Sequence, residues 1–383
     1  MHVLILGARA PACLAWALAF AQAGWTVSVG DSLNLPLSRF SRAAQHFVRL
    51  PPPRRDPQAW IEALVTAIQA RSIDLVLPTC EEVFYLTHGR EALIPFCRVL
   101  TSDFELVHRL HHKGRFAAIT RNWVLTVPET HLLVDRQALL RFGDDAARWV
   151  FKPAYSRFAS QTLIRPSIQQ LVEIEPSHAQ PWVAQRFVQG RELCSFSILI
   201  NGQLRAHGCY RPRYRAGRGA GIYFQPEAPK HVRQFLEQFG RETCYTGQVG
   251  FDFIQDHAGR IHVLECNPRA TSGVHLFDNQ CEKLVNSLSD SHMPVLEPTA
   301  EPRMAALAMI LLAAPQHALN AGFWRDYLRA YDVIAKRGDF WPLAAQVLTL
   351  GEIGIRAIYR RCGFLAASTA DIEWNGQDLG EQG

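Results

Sequence analysis

The side chains best suited to chemistry lie in a predicted β-hairpin near the two-thirds point of the chain. Apolar and polar residues alternate on both sides of a short polar turn. A turn centred just after His257 would place Asp252 opposite Val263, and residues two positions apart on a strand share a face. One face of the hairpin would then carry three oxygen donors, from Asp252, Glu265 and Asn267, while Phe251 and Phe253 point into a core.

Two carboxylates and an amide oxygen form a site for a hard divalent cation. Mg²⁺ prefers oxygen ligands, needs few of them from the protein and completes its shell with water and substrate phosphates, and Mn²⁺ is the alternative ion. Arg269 follows two residues after the last donor and would direct its guanidinium towards an anion held by the metal. A solvated hairpin with an acidic outer face is the alternative interpretation.

Upstream segments supply lysines and an apolar strand in a particular order. Val150–Pro153 is predicted to be a strand that carries Lys152, and Lys113 begins a helix-like run. Residues 182–188 form an apolar strand that runs into a polar segment ending at Glu192. With the Asn-Pro-Arg sequence after the hairpin, these segments resemble the ATP-grasp superfamily, including the short relatives of the carbamoyl-phosphate synthase large subunit, over roughly residues 100 to 285.

The resemblance implies a nucleotide site. Lys113 and Lys152 are similar to the lysines that contact the nucleotide phosphates and the adenine edge, and Glu192 is similar to the residue that binds the ribose hydroxyls. The hinge whose backbone binds adenine corresponds to Gln185, Arg186, Phe187 and Val188. The loop that covers the phosphates is often glycine-rich in this family, but residues 153–160 contain no glycine. Side-chain contacts to phosphate are expected instead, from Ser156, Arg157 and Ser160.

The resemblance also implies a reaction. The family's metal ligands correspond to Asp252, Glu265 and Asn267, and Arg269 corresponds to the arginine that contacts the transferred phosphoryl group and the acyl-phosphate. The expected protein is a cytoplasmic carboxylate–amine ligase of the EC 6.3 type, which converts ATP to ADP and joins two small-molecule substrates. Carboxylate–thiol and carbamoyl-phosphate-type enzymes, and a nucleotide-binding module without catalysis, are the alternatives.

The first hundred residues alternate strands and helices. Strands at residues 2–6 and 26–29 flank a helix at 11–23, which predicts a parallel sheet with helices on its faces. Glu81 and Glu82 follow a later strand, where open α/β sheets place ligand-binding groups. These two residues could contact the substrate, but an acidic start to the next helix is the favoured interpretation.

Composition argues against a nucleic-acid partner. Forty basic and 35 acidic residues give a formal net charge of only +5. The exception is an arginine-rich segment that is predicted to be a mobile loop, with Arg205, Arg211, Arg213, Arg215 and Arg218. An anionic substrate is expected there, with Arg211 and Arg213 as candidate contacts, and RNA binding is the weaker alternative.

Histidines and cysteines give weaker signals. His275 borders the predicted cleft and is a candidate substrate contact, although a structural role is favoured. The group His108, His111 and His112 is interpreted as a partly solvated helix face. The nine cysteines contain no Cys-x-x-Cys pair and are interpreted as reduced thiols.

Four units are predicted in an α/β chain with the ATP-grasp fold. They are an N-terminal parallel-sheet domain at 1–112, a mobile α+β lid at 113–185, a central antiparallel-sheet domain with the metal site at 186–290, and a helical extension at 291–383. The apolar segments of the extension are too short or too interrupted to span a membrane. They are expected to pack on the body, to cap the pocket or to pair subunits in a homodimer. Peripheral membrane contact is an open alternative, because Arg356, Arg360 and Arg361 flank apolar residues.

Overall fold

Three β-sheets organise the chain, and the computed structural model describes residues 1–156, 161–216, 219–336, 338–377 and 379. The N-terminal sheet is parallel with strand order β3-β2-β1-β4-β5, as the sequence predicted. Its strands are β1 His2–Leu6, β2 Thr26–Asp31, β3 His46–Arg49, β4 Leu75–Leu77 and β5 Arg98–Val99. The helices of this part are α1 Pro11–Gln22, α2 Pro57–Arg71, α3 Val83–His88, α4 Arg90–Leu93 and α5 Phe104–His111.

Helix α1 is apolar on nearly all sides because it is buried between the N-terminal sheet and the rest of the molecule. Pro11 starts the helix, where a missing N–H costs nothing, and Gly24 follows it with a φ of 77°. The Trp16 indole donates to the Gln248 side chain at 2.7 Å, and Gln248 donates to the Pro78 carbonyl at 2.7 Å. This buried bridge ties α1 and the end of β4 to the central sheet.

The second sheet lies between residues 130 and 186 and is antiparallel, with strand order β6-β9-β7-β8. Its strands are β6 Thr130–Leu133, β7 Trp149–Pro153, β8 Leu163–Ile164 and β9 Trp182–Arg186. The accompanying helices are α6 Lys113–Ile119, α7 Arg136–Leu140 and α8 Ile168–Leu171, with a 3₁₀ turn at Gly143–Arg148. The sheet has its own small core around Phe151 and Leu171.

The central sheet is antiparallel except at one edge, with strand order β14-β13-β10-β11-β12-β15-β16. Its strands are β10 Gly190–Ile200, β11 Gln203–Pro212, β12 Tyr223–Glu227, β13 Gly247–Asp256, β14 Ile261–Asn267, β15 Arg303–Met304 and β16 Tyr331–Asp332. Helix α9, Lys230–Thr243, packs Phe235 and Phe239 against Phe251 of β13. The expected mobile loop is wrong in its first half, because Arg205 and Arg211 lie within β11.

The C-terminal part is mainly helical, as expected, but it also contributes β15 and β16 to the central sheet. Its helices are α10 Cys281–Asn286, α11 Ala306–Ala308, α12 Ala314–His317, α13 Ala321–Arg329, α14 Trp341–Arg360 and α15 Phe364–Ala367, with a 3₁₀ turn at Ser272–Phe277 and a π-helical turn at Met309–Ala313. Within the described residues, every helix is too short or too polar to cross a bilayer.

The chain returns to its N-terminal part through a buried aromatic cluster around Trp374. The Trp374 ring centroid lies 5.2 Å from Phe84, 5.7 Å from Phe104, 5.0 Å from His108 and 5.3 Å from Tyr155. The partly solvated histidine face that the sequence suggested is wrong for two of its three members, and only His108 is partly exposed. His111 and His112 are each 5 % exposed, because the C-terminal tail and Tyr155 cover this face.

Replacing Trp374 with alanine should lower the free energy of unfolding by about 3 kcal/mol, because it removes a fully packed aromatic side chain. The matched control is Trp341→Ala, since Trp341 is 62 % exposed and its loss should change stability by less than about 0.5 kcal/mol. Urea unfolding followed by far-UV circular dichroism measures both. Equal effects of the two variants would show that the cluster contributes little.

Candidate active site

The β13–β14 hairpin brings the two predicted carboxylates directly opposite each other. Asp252 pairs with Glu265, whereas Phe253, the next residue, pairs with Val263. Leu264 is therefore the extra residue of a β-bulge. The predicted register, with Asp252 opposite Val263, is wrong because a continuous ladder was assumed.

The bulge decides which side chains face the site. With unbroken alternation, Val263 and Glu265 would share a face. Instead, Val263 and Cys266 both lie in the core that contains Phe251, and Glu265 turns to the opposite side with Asp252. Cys266 thus faces away from the site, as predicted. Bulges redirect side chains in this way beside many active sites.

Asp252 lies in an environment that disfavours its negative charge. Burial raises the pKa of its carboxyl group, and the neighbouring Glu265 charge raises it further. Hydrogen bonds from the Cys194 thiol and from the Asn267 amide, the latter at 3.1 Å, offset part of this effect. The charge repulsion between the two carboxylates is what a bound cation would relieve.

Glu265 contacts two ammonium groups. Its Oε2 lies 3.5 Å from Lys113 Nζ and 3.3 Å from Lys152 Nζ. Burial opposes ionisation of Glu265, but the two lysine charges outweigh it and lower the pKa of this carboxyl to about 2. Burial also lowers the pKa of Lys113, although Glu265 counteracts the effect.

Local structure positions both lysines. His112 caps helix α6 by accepting the N–H groups of Gly114 and Arg115, each at 3.2 Å, so Lys113 begins the helix with its side chain directed inward, 3 % exposed. Burial lowers the pKa of His112 to about 4, which keeps the ring neutral and able to accept. Lys152 lies on β7 and is 6 % exposed.

The predicted phosphate loop is described only at its start. Lys113 Nζ donates to the Ser156 carbonyl at 3.1 Å and to its hydroxyl at 3.2 Å, so Ser156 is beside the lysine pair. The other two predicted contacts, Arg157 and Ser160, lie outside the described residues.

The predicted adenine hinge contacts the bulge. Gln185, which is 3 % exposed, donates from its side chain to the Leu264 carbonyl at 3.3 Å. The backbone N–H of Arg186 donates to Glu129 at 2.7 Å and that of Phe187 donates to Arg148 at 2.9 Å. These two hinge N–H groups therefore already have backbone partners in neighbouring segments.

Arg269 forms an ion pair that the sequence did not predict. Its Nε lies 2.9 Å from Glu81 Oε1, and Glu81 is 1 % exposed. Burial would lower the pKa of Arg269, but the Glu81 charge outweighs it and the pKa is raised. Glu82 instead accepts the N–H groups of Thr79 and Cys80 at 2.9 Å each, immediately before α3. Glu82 therefore lies at a helix start as favoured, whereas Glu81 reaches the site.

The arginine-rich segment is divided among separate partners. Arg213 pairs with Asp326 at 3.0 Å, and Arg215 pairs with Glu192, the predicted ribose ligand. The Arg215 charge also acts on Asp252, which makes Arg215 a site residue that sequence reasoning treated only as part of a basic loop. Arg211 lies on β11, and Arg218 is outside the described residues.

His275 is buried away from solvent, with 3 % exposure. Its ring stacks on Phe224, with 6.3 Å between centroids, and its Nδ1 lies 3.9 Å from an Asp278 carboxyl oxygen. Burial lowers the pKa of His275 to about 4. These surroundings are those of a structural histidine.

The donor set fits a hard cation that shares its ligands with a substrate. The described residues contain no group of three His, Cys, Asp or Glu side chains arranged around a metal position. Two carboxylates and the Asn267 amide are nevertheless the kind of partial set that Mg²⁺ uses when phosphates and water supply the other ligands. The repulsion between Asp252 and Glu265 supports the same ion class.

Comparison with known proteins identifies the fold. No protein-family model matches the chain, and no curated protein matches its sequence. Solved structures do match. An L-amino acid ligase from Bacillus licheniformis has 16 % identity and a TM-score of 0.57, covering 75 % of this chain and 74 % of its own.

Two further structures contain nucleotides. The N5-carboxyaminoimidazole synthetase from Staphylococcus aureus, complexed with ADP, has 12 % identity and a TM-score of 0.62 over 83 % of this chain and 86 % of its own. The biotin carboxylase domain of the 2-oxoglutarate carboxylase from Hydrogenobacter thermophilus, in complex with MgADP and bicarbonate, has 12 % identity and a TM-score of 0.59 over 77 % and 71 %.

Proposed function

We propose that this chain, which has the ATP-grasp fold, is an ATP-dependent ligase that activates a carboxylate as an acyl-phosphate and couples it to an amine. The observation that carries the proposal is the placement of Asp252 directly opposite Glu265, with two buried lysines on Glu265. Structures of the same fold contain ADP and MgADP, so we propose ATP as substrate and Mg²⁺ as cofactor.

The proposed roles follow from charge and position. Asp252, Glu265 and Asn267 would hold the ion, which when bound supplies Lewis-acid polarisation of phosphate oxygens. Lys113 and Lys152 would then exchange part of their contact with Glu265 for contacts with phosphate oxygens. Both ammonium groups are buried, so their interaction with a phosphate is weakly screened by solvent.

Two successive displacements account for the reaction. A substrate carboxylate oxygen attacks the γ-phosphorus, the bond to the β-phosphate oxygen breaks, and ADP leaves. The amine nitrogen then attacks the acyl carbon, an N–H proton is lost and inorganic phosphate leaves with the mixed-anhydride oxygen. Arg269, held by Glu81 at 2.9 Å, would donate to the oxyanion that forms on the acyl group.

The test is a screen for coupled ADP release and product mass. The full chain is incubated with ATP, Mg²⁺ and pairs of carboxylic acids and amines, and a product is expected whose mass equals acid plus amine minus water. ADP release that requires a thiol, or bicarbonate with ammonia, would favour one of the other two ATP-grasp reactions. Tight nucleotide binding without ADP release across the screen would favour a non-catalytic module.

Binding of MgADP should weaken as the pH falls through the raised pKa of Asp252. A bound cation requires the ionised carboxylate, so a protonated Asp252 must lose its proton on binding. Affinity should fall about tenfold for each pH unit below that pKa. Calorimetry in two buffers with different ionisation enthalpies measures the released proton, and Asp252→Asn should abolish its release. Binding without proton exchange at every pH between the acid limit of folding and neutrality would contradict this role.

Four further properties of the protein are also proposed. We propose small-molecule substrates, a cytoplasmic location, a homodimer and the four domain boundaries given above. The RNA alternative lost support, because Arg213 and Arg215 are paired with acidic side chains.

A further inference from the structure

Two of the three charged side chains of helix α14, those of Glu352 and Arg356, lie on the face that contacts the protein. Glu352 accepts the backbone N–H of Asn34 at 3.0 Å and that of Leu35 at 2.8 Å. Arg356 donates to the Ser32 carbonyl at 3.0 Å and to Glu352 at 3.0 Å. These contacts anchor the helix beside the end of β2 and fix its rotation about its own axis.

The rest of the inner face is held by smaller contacts. The Thr349 hydroxyl donates to the Leu35 carbonyl at 2.8 Å. Ile353, 6 % exposed, packs with Leu33 and with Ala367 of α15. Glu352, Arg356 and these smaller contacts all lie on the inner face. The opposite face of α14 is therefore formed by other side chains.

That opposite face is apolar along its whole length. Large side chains recur there at helical spacing and are exposed by 68, 69, 47, 56, 78 and 84 %, at Phe340, Val347, Leu348, Ile355, Ile358 and Tyr359. Phe364 and Leu365 of α15 continue the surface, each 47 % exposed. We call this set the α14–α15 surface. Soluble helices normally show the reverse arrangement, and a large exposed apolar patch marks an interaction site.

The charges around this surface have one sign. Residues 340–367 contain a single acidic residue, Glu352, and it is paired inward. Arg360 and Arg361, at the end of α14, are exposed. A second copy of this surface would offer the arginines no carboxylate, whereas anionic lipid headgroups would complement them. Aromatic residues at both ends of the helix, Trp341 and Tyr359, are the side chains that favour the bilayer interface.

We propose that the α14–α15 surface binds an anionic lipid bilayer, with α14 lying in the plane of the headgroups. The helix has 20 residues and is about 30 Å long. Its apolar face would be immersed at the level of the acyl-chain boundary, and the arginines would contact lipid phosphates and carboxylates. This inference is independent of the proposed ligase activity.

The test is sedimentation of the full chain with vesicles. Vesicles of phosphatidylcholine and phosphatidylserine should retain the protein, vesicles of phosphatidylcholine alone should retain much less, and salt should weaken retention because it screens the arginines. Leu348→Asp should reduce binding roughly tenfold, because it places a charge in the apolar contact. The matched control is Leu140→Asp in α7, since Leu140 and Leu348 are 49 and 47 % exposed, and it should leave binding unchanged.

A second variant separates charge from apolar contact. Arg360→Gln with Arg361→Gln should weaken binding to the phosphatidylserine vesicles by about 25-fold, at about 1 kcal/mol for each arginine, and should leave binding to phosphatidylcholine unchanged. The proposal is overturned if the wild-type protein binds neither kind of vesicle. It is also overturned if Leu140→Asp and Leu348→Asp lose binding equally, or if the protein is a dimer that Leu348→Asp dissociates and that does not bind vesicles.

Discussion

Glu265→Gln should leave the protein folded and reduce turnover by at least about 10³-fold, the scale expected when a group that stabilises transition-state charge is removed. The substitution keeps the volume of the side chain but removes a carboxylate that both Lys113 and Lys152 contact. Two buried ammonium groups then lose the carboxylate that they share, and the proposed metal loses a charged ligand. Neither loss is repaired by the amide.

Steady-state ADP release measures the effect, and thermal unfolding checks that the fold persists. The matched control is Glu297→Gln, a glutamate that is 55 % exposed and pairs with Arg233 away from the site. Its turnover should stay within about twofold of wild type, because exposed ion pairs contribute little. If Glu265→Gln retained normal turnover while staying magnesium-dependent, the metal assignment would be refuted.

Arg269→Met should reduce both stability and turnover, and the two effects should be separable. It leaves the Glu81 carboxylate, which is 1 % exposed, without its guanidinium partner. Removing one member of a buried ion pair costs about 3 kcal/mol. Turnover should fall roughly 10²- to 10³-fold, the size of effect seen when one oxyanion donor is removed.

A double variant distinguishes the two roles. Arg269→Met combined with Glu81→Gln also removes the carboxylate charge that lost its guanidinium, so stability should return to within about 1 kcal/mol of wild type. Turnover should stay low, because the donor is still missing. Urea unfolding and ADP release are measured on the wild type, on each single variant and on the double variant, which together form a double-mutant cycle. Recovery of turnover along with stability would mean that Arg269 acts only through the fold.

The hairpin was predictable from sequence because the signals that define it lie close together in the chain. Alternating apolar residues, a polar turn and the Asn-Pro-Arg ending all lie within about twenty residues, so strand periodicity could identify them. The register was not predictable in the same way. A bulge changes the pairing by a single residue, and the only local trace is the Val263-Leu264 doublet, which breaks the alternation before Glu265.

The contacts of Arg269 and Lys113 were beyond sequence reasoning for a different reason. Glu81 meets Arg269 from the turn after β4, and Ser156 meets Lys113 from the segment after β7. Such pairs depend on how three sheets are arranged, which no single segment encodes. Short β3 was missed because its half-exposed residues, His46–Arg49, give little periodic signal. By contrast, β1 matched its predicted bounds, since a fully buried strand is a continuous apolar run.

The Trp374 cluster has a kinetic consequence. It joins Phe84 and Phe104 of the N-terminal part, Tyr155 just after β7 and a tryptophan close to the end of the described chain. Contacts between residues so far apart in sequence form slowly, because the intervening chain must first be ordered. Docking of the tail is therefore expected to be a late event in refolding. An intermediate without it would expose the histidines at the end of α5, next to the start of the proposed phosphate loop.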